Sequence, residues 1–138
     1  MKKHVTRAAW LCKADLVSHV VVEFPKLQGI MGRVYASVTK EPAAVATAIE
    51  EHYRPIYSGG ELPKTRSGAI LAIADKIDNI CGLFSIGLIP TGASDPYALR
   101  RQGIGIVHIM LDKDFSFSLR DMIEKSIKLF GIKGAKKI

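Results

Sequence analysis

The protein is a chain of 138 residues with a formal net charge of +7 and a hydrophobic content of 48%. That length suits one domain with a buried core, and that hydrophobic content excludes an intrinsically disordered chain. The positive charge favours an acidic partner, most commonly nucleic acid, although basic chain ends that merely aid solubility explain it about as well.

Hydrophobic spacing predicts helices along the whole chain and no β-strand. The first helix is predicted at about 5–23 and the second at about 26–38, where two glycines indicate close packing against another helix. Pro42 suits the first position of a third helix, and Pro55 ends that helix. A loop rich in proline and glycine is predicted at 54–65.

The second half of the sequence predicts a long helix at about 66–84, a helix at about 96–111 and a final helix at about 119–130. The predicted fold class is therefore all-α. We expect one domain over residues 1–138, a single compact bundle of five to six helices with its core at about 7–130 and basic tails at both ends.

Two helix starts carry recognisable capping residues. The Ser-Asp-Pro sequence at 94–96 predicts Asp95 as the N-cap residue and Pro96 as the first helical residue. The carboxylate of Asp95 would accept hydrogen bonds from the first backbone N–H groups. Ser118 stands three residues before Asp121, which predicts a capping box at the start of the last helix.

Arg100 and Arg101 follow the first of these starts, on a helix whose helical wheel is apolar nearly all round. A buried guanidinium needs a partner, because an unpaired charge in a protein interior is strongly destabilising. We therefore expect Arg100 or Arg101 to form an ion pair with Asp75 or Asp78 on the long helix. Contact with RNA is the alternative for both arginines.

The two cysteines, Cys12 and Cys81, lie within apolar helical patterns and lack the spacing of a zinc site. They are expected to be buried free thiols of a reducing compartment. The sequence shows no signal peptide, and charged residues interrupt its most apolar segment, 68–90, so that no membrane span is predicted. We expect a cytoplasmic protein without a membrane partner.

Four stretches of the sequence resemble one known family. They are EFPKLQGIMGRVYA (23–36), AIEEHYRP (48–55), LAIADKIDNICGLFSIG (71–87) and PTGASDPYALRRQGIGI (90–106). In this order and spacing they resemble the β subunit of bacterial glycyl-tRNA synthetase, the type built from two α and two β subunits. The resemblance runs from about Arg7 to Ile127, and it implies an internal fragment because that β subunit is several times longer.

Within that family the resemblance implies an HD-like helical domain, related to enzymes that hold a metal with a His, an adjacent His-Asp pair and a later Asp. The segment around Asp75 resembles that of the later Asp, and His52 is a candidate remnant of the same site. Glu23 and Phe24 stand where the His-Asp pair is expected. We therefore expect a degenerate site without a bound metal. An active metal-dependent HD-type phosphohydrolase is the alternative.

The function implied by the resemblance is that of a non-catalytic helical module of the tetrameric glycine–tRNA ligase. The module would support tRNA binding and subunit organisation during glycyl-tRNA formation, and it would be inactive alone. ATP and glycine would be used by the partner α subunit, so that no cofactor is expected in this fragment. The implied partners are the α subunit, the rest of the β subunit and tRNA(Gly).

Lys64 and Arg66 are predicted tRNA contacts because they lie in an exposed-looking loop near Tyr57, and phosphate contacts often come from such positions. Plain solubilising charges are the open alternative. Arg100 and Arg101 complete the set of candidate tRNA-binding residues. No catalytic residue is predicted, because the His-Asp pair that the resemblance leads us to expect is missing and no Ser/His/Asp arrangement can be read from the order of the residues. The glycine-rich segments also lack the spacing of a phosphate-binding loop.

Overall fold

A computed structural model describes residues 1–92 and 94–130. Within them the backbone forms seven α-helices, two 3₁₀ helices at Ala14–Val17 and Pro25–Leu27, and no strand. The α-helices are α1 (Lys2–Leu11), α2 (His19–Glu23), α3 (Ile30–Val38), α4 (Ala43–Glu51), α5 (Arg66–Ser85), α6 (Leu99–Asp112) and α7 (Leu119–Leu129). The all-α class is confirmed, with more helices than the five to six expected, and the HD-like architecture stays a prediction.

The chain divides into two compact units whose boundary falls inside α5. The first comprises Met1–Ile73, and the second begins at Ala74. The expectation of one domain over residues 1–138 stays a prediction. None of the helices among the described residues is long and apolar enough to cross a membrane.

The core of the first unit is built from small and β-branched side chains of α1, α3 and α4. Ala8, Ala36, Ala48 and Ile49 are buried there together. Gly32 of α3 has no room for a side chain, because a Cβ atom at this position would lie 2.7 Å from Cγ2 of Ile49. The close helix packing predicted from the glycines is therefore confirmed.

The predicted first helix at 5–23 is wrong in its continuity, because the 3₁₀ helix at Ala14–Val17 divides it into α1 and α2. The break turns Asp15 inward, where its side chain is 1% exposed. Oδ2 of Asp15 accepts hydrogen bonds from the backbone N–H of Gly29 at 2.6 Å and of Gly32 at 3.1 Å. Asp15 thus caps α3, which begins only after Gly29.

The second unit contains the C-terminal part of α5 together with α6 and α7. Its buried apolar side chains come from α5 and α6, among them Ile77, Cys81, Ile106 and Ile109. The last helix, α7, begins as predicted, since Oγ of Ser118 accepts a hydrogen bond from the third residue after it at 3.2 Å. Like Cys12 of the first unit, Cys81 is a free, buried cysteine, in agreement with the sequence-based expectation.

Candidate nucleic-acid interface

The loop that carries Lys64 and the start of α5 is held by a buried carboxylate of α4. Glu51, which is 4% exposed, accepts hydrogen bonds from the backbone N–H groups of Lys64 and Thr65, each at 3.0 Å. The hydroxyl of Thr65 donates to the same carboxylate at 2.6 Å and accepts from the N–H of Gly68 at 3.0 Å. Glu51 therefore fixes the backbone that presents the side chains of Lys64 and Arg66, both of which are exposed.

Gly68 is part of the same arrangement. A Cβ atom at Gly68 would lie 2.7 Å from Cβ of Glu51, so that only glycine permits this approach between α4 and the start of α5. Glu51 therefore has a structural role as a hydrogen-bond acceptor. Sequence reasoning did not foresee this role, because the N–H groups that it binds lie 13 and 14 residues away.

His52, the candidate remnant of a metal site, lies at the end of α4 and is completely buried. Its Nδ1 lies 2.5 Å from the carbonyl oxygen of Ile49, and its Nε2 lies 2.9 Å from Nζ of Lys13. A lysine ammonium can only donate, so Nε2 accepts and Nδ1 carries the hydrogen that is donated to Ile49. The lone pair that a metal would need is thus directed at Lys13.

Lys13 also packs against the neighbouring aromatic ring. Its Nζ lies 4.3 Å from the centroid of the Tyr53 ring, a cation–π distance, and the rings of Tyr53 and His52 have centroids 3.9 Å apart. The buried imidazole of His52 is therefore in contact with both Lys13 and Tyr53. No group of three or more His, Cys, Asp or Glu side chains that could hold a metal ion occurs among residues 1–92 and 94–130.

The start of α6 carries the second pair of candidate cations. Asp95 accepts hydrogen bonds from the N–H of Leu99 at 2.8 Å and of Arg100 at 3.0 Å. Asp95 therefore accepts hydrogen bonds from the first N–H groups of the helix, as predicted, but the predictions of Asp95 as the N-cap residue and of a helix start at Pro96 are wrong, because Ala98 occupies the N-cap position. The helix begins at Leu99, because Ala98 adopts the left-handed conformation with φ of 54° and interrupts the turn that leads into it.

The Arg100 side chain does not take the predicted carboxylate as its partner. Its Nη1 donates to the carbonyl oxygen of Gly92 at 2.7 Å. The physical reason is exposure: Arg100 and Arg101 are both exposed, and one apolar side of α6, with Ile104 and Leu111, is exposed as well. On such a helix a guanidinium stays hydrated, so that burial does not enforce an ion pair.

The acidic side chains expected to pair with these arginines lie on α5. Asp78 is exposed and Asp75 is half-buried. Next to Asp75 on this helix, Nδ2 of Asn79 donates to Oε1 of Gln102 on α6 at 3.3 Å. Two uncharged amides therefore join α5 and α6 in the second unit at this point.

A groove in the first unit was not foreseen from the sequence. It lies along α1 and the start of α4 and has a volume of about 760 Å³. Its lining includes Lys2, Lys3, Arg7 and Trp10 of α1. The chain contains one tryptophan, and the ring of this residue is 81% exposed. The spacing of three and four residues between cations and an aromatic side chain was the available sequence signal.

Two residues that line this groove, Arg7 and Glu41, form an ion pair. Nη2 of Arg7 lies 2.5 Å from Oε1 of Glu41, and Nε of Arg7 lies 3.1 Å from the same oxygen. The hydrogen bond from Arg7 holds the pKa of the Glu41 carboxyl below its usual value, and the reciprocal bond raises the pKa of Arg7. Both groups are therefore charged over the physiological pH range.

Comparison with known sequences shows to which family the chain belongs. The model of the family described as glycyl-tRNA synthetase beta subunit matches residues 1–137. The chain belongs to this family. Its membership agrees with the resemblance carried by the four sequence stretches, two of which contain Glu51 and Asp95.

Individual relatives of this family are similar over nearly the whole chain. A glycine–tRNA ligase beta subunit of Desulforapulum autotrophicum is 64% identical over 127 residues, which are 92% of this chain and 18% of that protein. Proteins with the same name from Geobacter metallireducens and Trichlorobacter lovleyi are 55% and 56% identical over 133 and 132 residues, in each case 96% of this chain and 19% of the relative. The chain thus spans about a fifth of the length of these beta subunits.

Proposed function

We propose that the chain is a non-catalytic helical module of a glycine–tRNA ligase β subunit, acting in the cytoplasm. In this proposal it supports tRNA binding and subunit organisation, while the α subunit uses ATP and glycine to form the aminoacyl group that is transferred to tRNA(Gly). The observation that carries the proposal is the family match over residues 1–137. The module is proposed to be inactive alone and to bind no cofactor.

The non-catalytic role is supported by the buried ionisable side chains of the first unit. Asp15 and Glu51 accept hydrogen bonds from backbone N–H groups, and His52 is held between Ile49 and Lys13. A hydrolytic metal centre needs several convergent ligands and an activated water, and these side chains are already engaged in structural bonds. We therefore propose that the HD-like domain has a degenerate metal site. Neither the comparisons nor the described residues favour the phosphohydrolase alternative.

The tRNA-binding role is supported by cations presented on fixed backbone. Lys64 and Arg66 stand on the loop bound by Glu51 in the first unit. Arg100 and Arg101 stand at the capped start of α6 in the second. Exposed arginine and lysine side chains on ordered backbone are the groups that position phosphates in nucleic-acid complexes. The net charge of +7 acts in the same direction.

Subunit organisation is supported by apolar side chains that the first unit leaves exposed near α2. Val17 is 87% exposed, and Val22 and Phe24 are also exposed. Clusters of exposed apolar side chains mark interaction sites in soluble proteins. In a β subunit about five times longer than this chain, we propose that the rest of the subunit or the α subunit covers them.

The direct test is the affinity for tRNA(Gly) as a function of salt, measured by fluorescence anisotropy. If four phosphates are contacted, affinity should fall by about 50- to 150-fold between about 50 and 200 mM salt. The double variants K64A/R66A and R100A/R101A should each reduce this ratio to about ten-fold, because two contacts remain. The matched control K26A/K125A removes two other exposed cations and should leave the ratio unchanged.

Two results would contradict the proposal. Absence of tRNA affinity at low salt would remove the binding role, and an equal loss in the control variant would show that only net charge matters. Stoichiometric metal together with phosphatase turnover that is lost in the His52→Ala variant would support the phosphohydrolase instead. Metal analysis of protein prepared without chelators covers this last outcome.

A further inference from the structure

The groove along α1 combines an exposed aromatic ring with cationic side chains. Trp10 contributes the ring, and Pro42 and Val45 add apolar walls from the start of α4. A tryptophan side chain left 81% exposed forgoes a large gain from burial. Exposed aromatic rings bordered by positive charge are the common element of sites that bind unpaired nucleotides.

The charge around the groove favours an anion as its occupant. Its lining contains three cationic side chains of α1 and one carboxylate, Glu41. Arg7 pairs with Glu41, so this carboxylate is neutralised locally. Lys2 and Lys3 are exposed and form no ion pair within the described part of the chain. Two ammonium groups at the groove therefore remain available for phosphates.

The dimensions of the groove suit a nucleotide. Its volume of about 760 Å³ lies within the range of roughly 300–1,000 Å³ that is typical of small-ligand sites. A base in a duplex already stacks on its neighbours, whereas an unpaired base offers a free face to an aromatic ring. The arrangement of ring and ammonium groups therefore selects a single-stranded segment over a duplex.

We propose that Trp10 is the stacking platform for an unpaired nucleotide of the bound tRNA, with Lys2 and Lys3 contacting the phosphates that flank it. This inference rests on the proposed function. It adds an aromatic contact with tRNA to the cationic contacts proposed for the loop of Lys64 and the start of α6. The stacking contact accepts any base, because every base has a π face. It contributes affinity for single strands and little sequence preference.

The sole tryptophan of the chain makes the inference directly measurable. A single-stranded RNA of eight uridines should quench Trp10 fluorescence in a saturable and salt-dependent manner, whereas a blunt RNA duplex of equal charge should not. With a dye-labelled oligonucleotide, Trp10→Leu should weaken binding by about five-fold or more. K2A/K3A should lower the slope of log affinity against log salt by about one to two, and K26A/K125A should not lower it.

The outcomes separate the two proposals. Intact tRNA affinity without quenching of Trp10 overturns the stacking platform and leaves the proposed function standing. Quenching by single strands without affinity for tRNA overturns the proposed function and, with it, the assignment of tRNA as the molecule that stacks on Trp10. Equal quenching by the duplex overturns the selection of unpaired nucleotides. Circular dichroism of each variant verifies helical content, and since Trp10 is exposed, its replacement by leucine should leave that content unchanged.

Discussion

The two units differ in how their helix starts are held. In the first unit, two buried carboxylates from other elements, Asp15 and Glu51, bind backbone N–H groups at the start of α3 and just before α5. They act in addition to local caps, which are Ser18 for α2 and Thr65 for α5. In the second, α6 and α7 are capped by Asp95 and Ser118, which stand within five residues of the N–H groups that they bind. A remote cap fixes one element on another, whereas a local cap stabilises only its own helix. The first unit therefore depends more strongly on its capping residues.

The largest effect is expected from Glu51→Ala. This change leaves two part-buried N–H groups and the Thr65 hydroxyl without the buried carboxylate that accepts from them. Since each unsatisfied buried group costs about 1–3 kcal/mol, we expect the free energy of unfolding to fall by about 3 kcal/mol or more. Urea denaturation followed by circular dichroism measures this loss.

The neighbouring residue offers a matched control for Glu51. Glu50 forms partly exposed ion pairs with Arg33 and Arg54, and Glu50→Ala should cost less than about 1 kcal/mol. Glu51→Ala should also speed amide hydrogen exchange at Lys64 and Thr65. A loss of stability as small as that of Glu50→Ala would show that the remote cap contributes no more than a surface ion pair.

A smaller but still large effect is expected from Asp15→Ala, which removes the acceptor of the Gly29 and Gly32 N–H groups. We expect a loss of about 2–3 kcal/mol. Oδ1 of Asp15 is buried without a hydrogen-bond partner among the described residues, so the second carboxylate oxygen gains nothing in the folded state. Asp15→Asn keeps an acceptor and removes the charge, and it should therefore cost less than Asp15→Ala. The reverse order in urea denaturation would contradict this view of the cap.

The same contrast explains how much of the molecule can be predicted from its sequence. The roles of Asp95 and Ser118 are readable because each cap and its helix lie in one short segment. The roles of Asp15 and Glu51 are not, since their partners lie 13 to 17 residues away and are brought near only by tertiary packing. The helical class follows from hydrophobic spacing in either unit.

The errors in the predicted elements have the same origin. Apolar spacing predicts one long helix at 5–23, and it gives no sign of the break between α1 and α2 that places Asp15 in the interior. The late start of α6 follows from the left-handed conformation of Ala98. Alanine rarely adopts a positive φ, so the sequence does not predict this conformation. The spacing of the cations and Trp10 places them near one another on α1, but it does not predict that the tryptophan is exposed, since that depends on tertiary packing.

A moderate effect is expected from Asp95→Ala, the local cap of α6. Typical losses for a capping carboxylate are about 1 kcal/mol, and here the exposed N–H of Arg100 can be hydrated instead, while the bond from Leu99 is only part-buried. Asp95→Asn keeps an acceptor and should recover part of the loss. Measured beside Glu51→Ala by urea denaturation, the local cap should cost clearly less. A loss equal to that of Glu51→Ala would erase the difference between remote and local capping.

The smallest effect is expected from the exposed ion pair of Arg7 and Glu41, which joins two elements without burial. The hydrogen bond from Arg7 lowers the pKa of Glu41 in the folded state from its ordinary value of 4.5. The pair therefore stabilises the fold above pH 4.5, and its contribution is lost as the pH falls below 4.5 through the lowered pKa of Glu41.

Glu41→Gln should leave the free energy of unfolding nearly unchanged at a pH below the lowered pKa of Glu41, and it should reduce this free energy slightly above pH 4.5. Urea midpoints of both proteins between pH 3 and 7 should converge at the acidic end, and high salt should shrink their difference, because the pair is open to solvent. A difference between the two proteins that grows toward low pH would contradict this assignment of the ion pair.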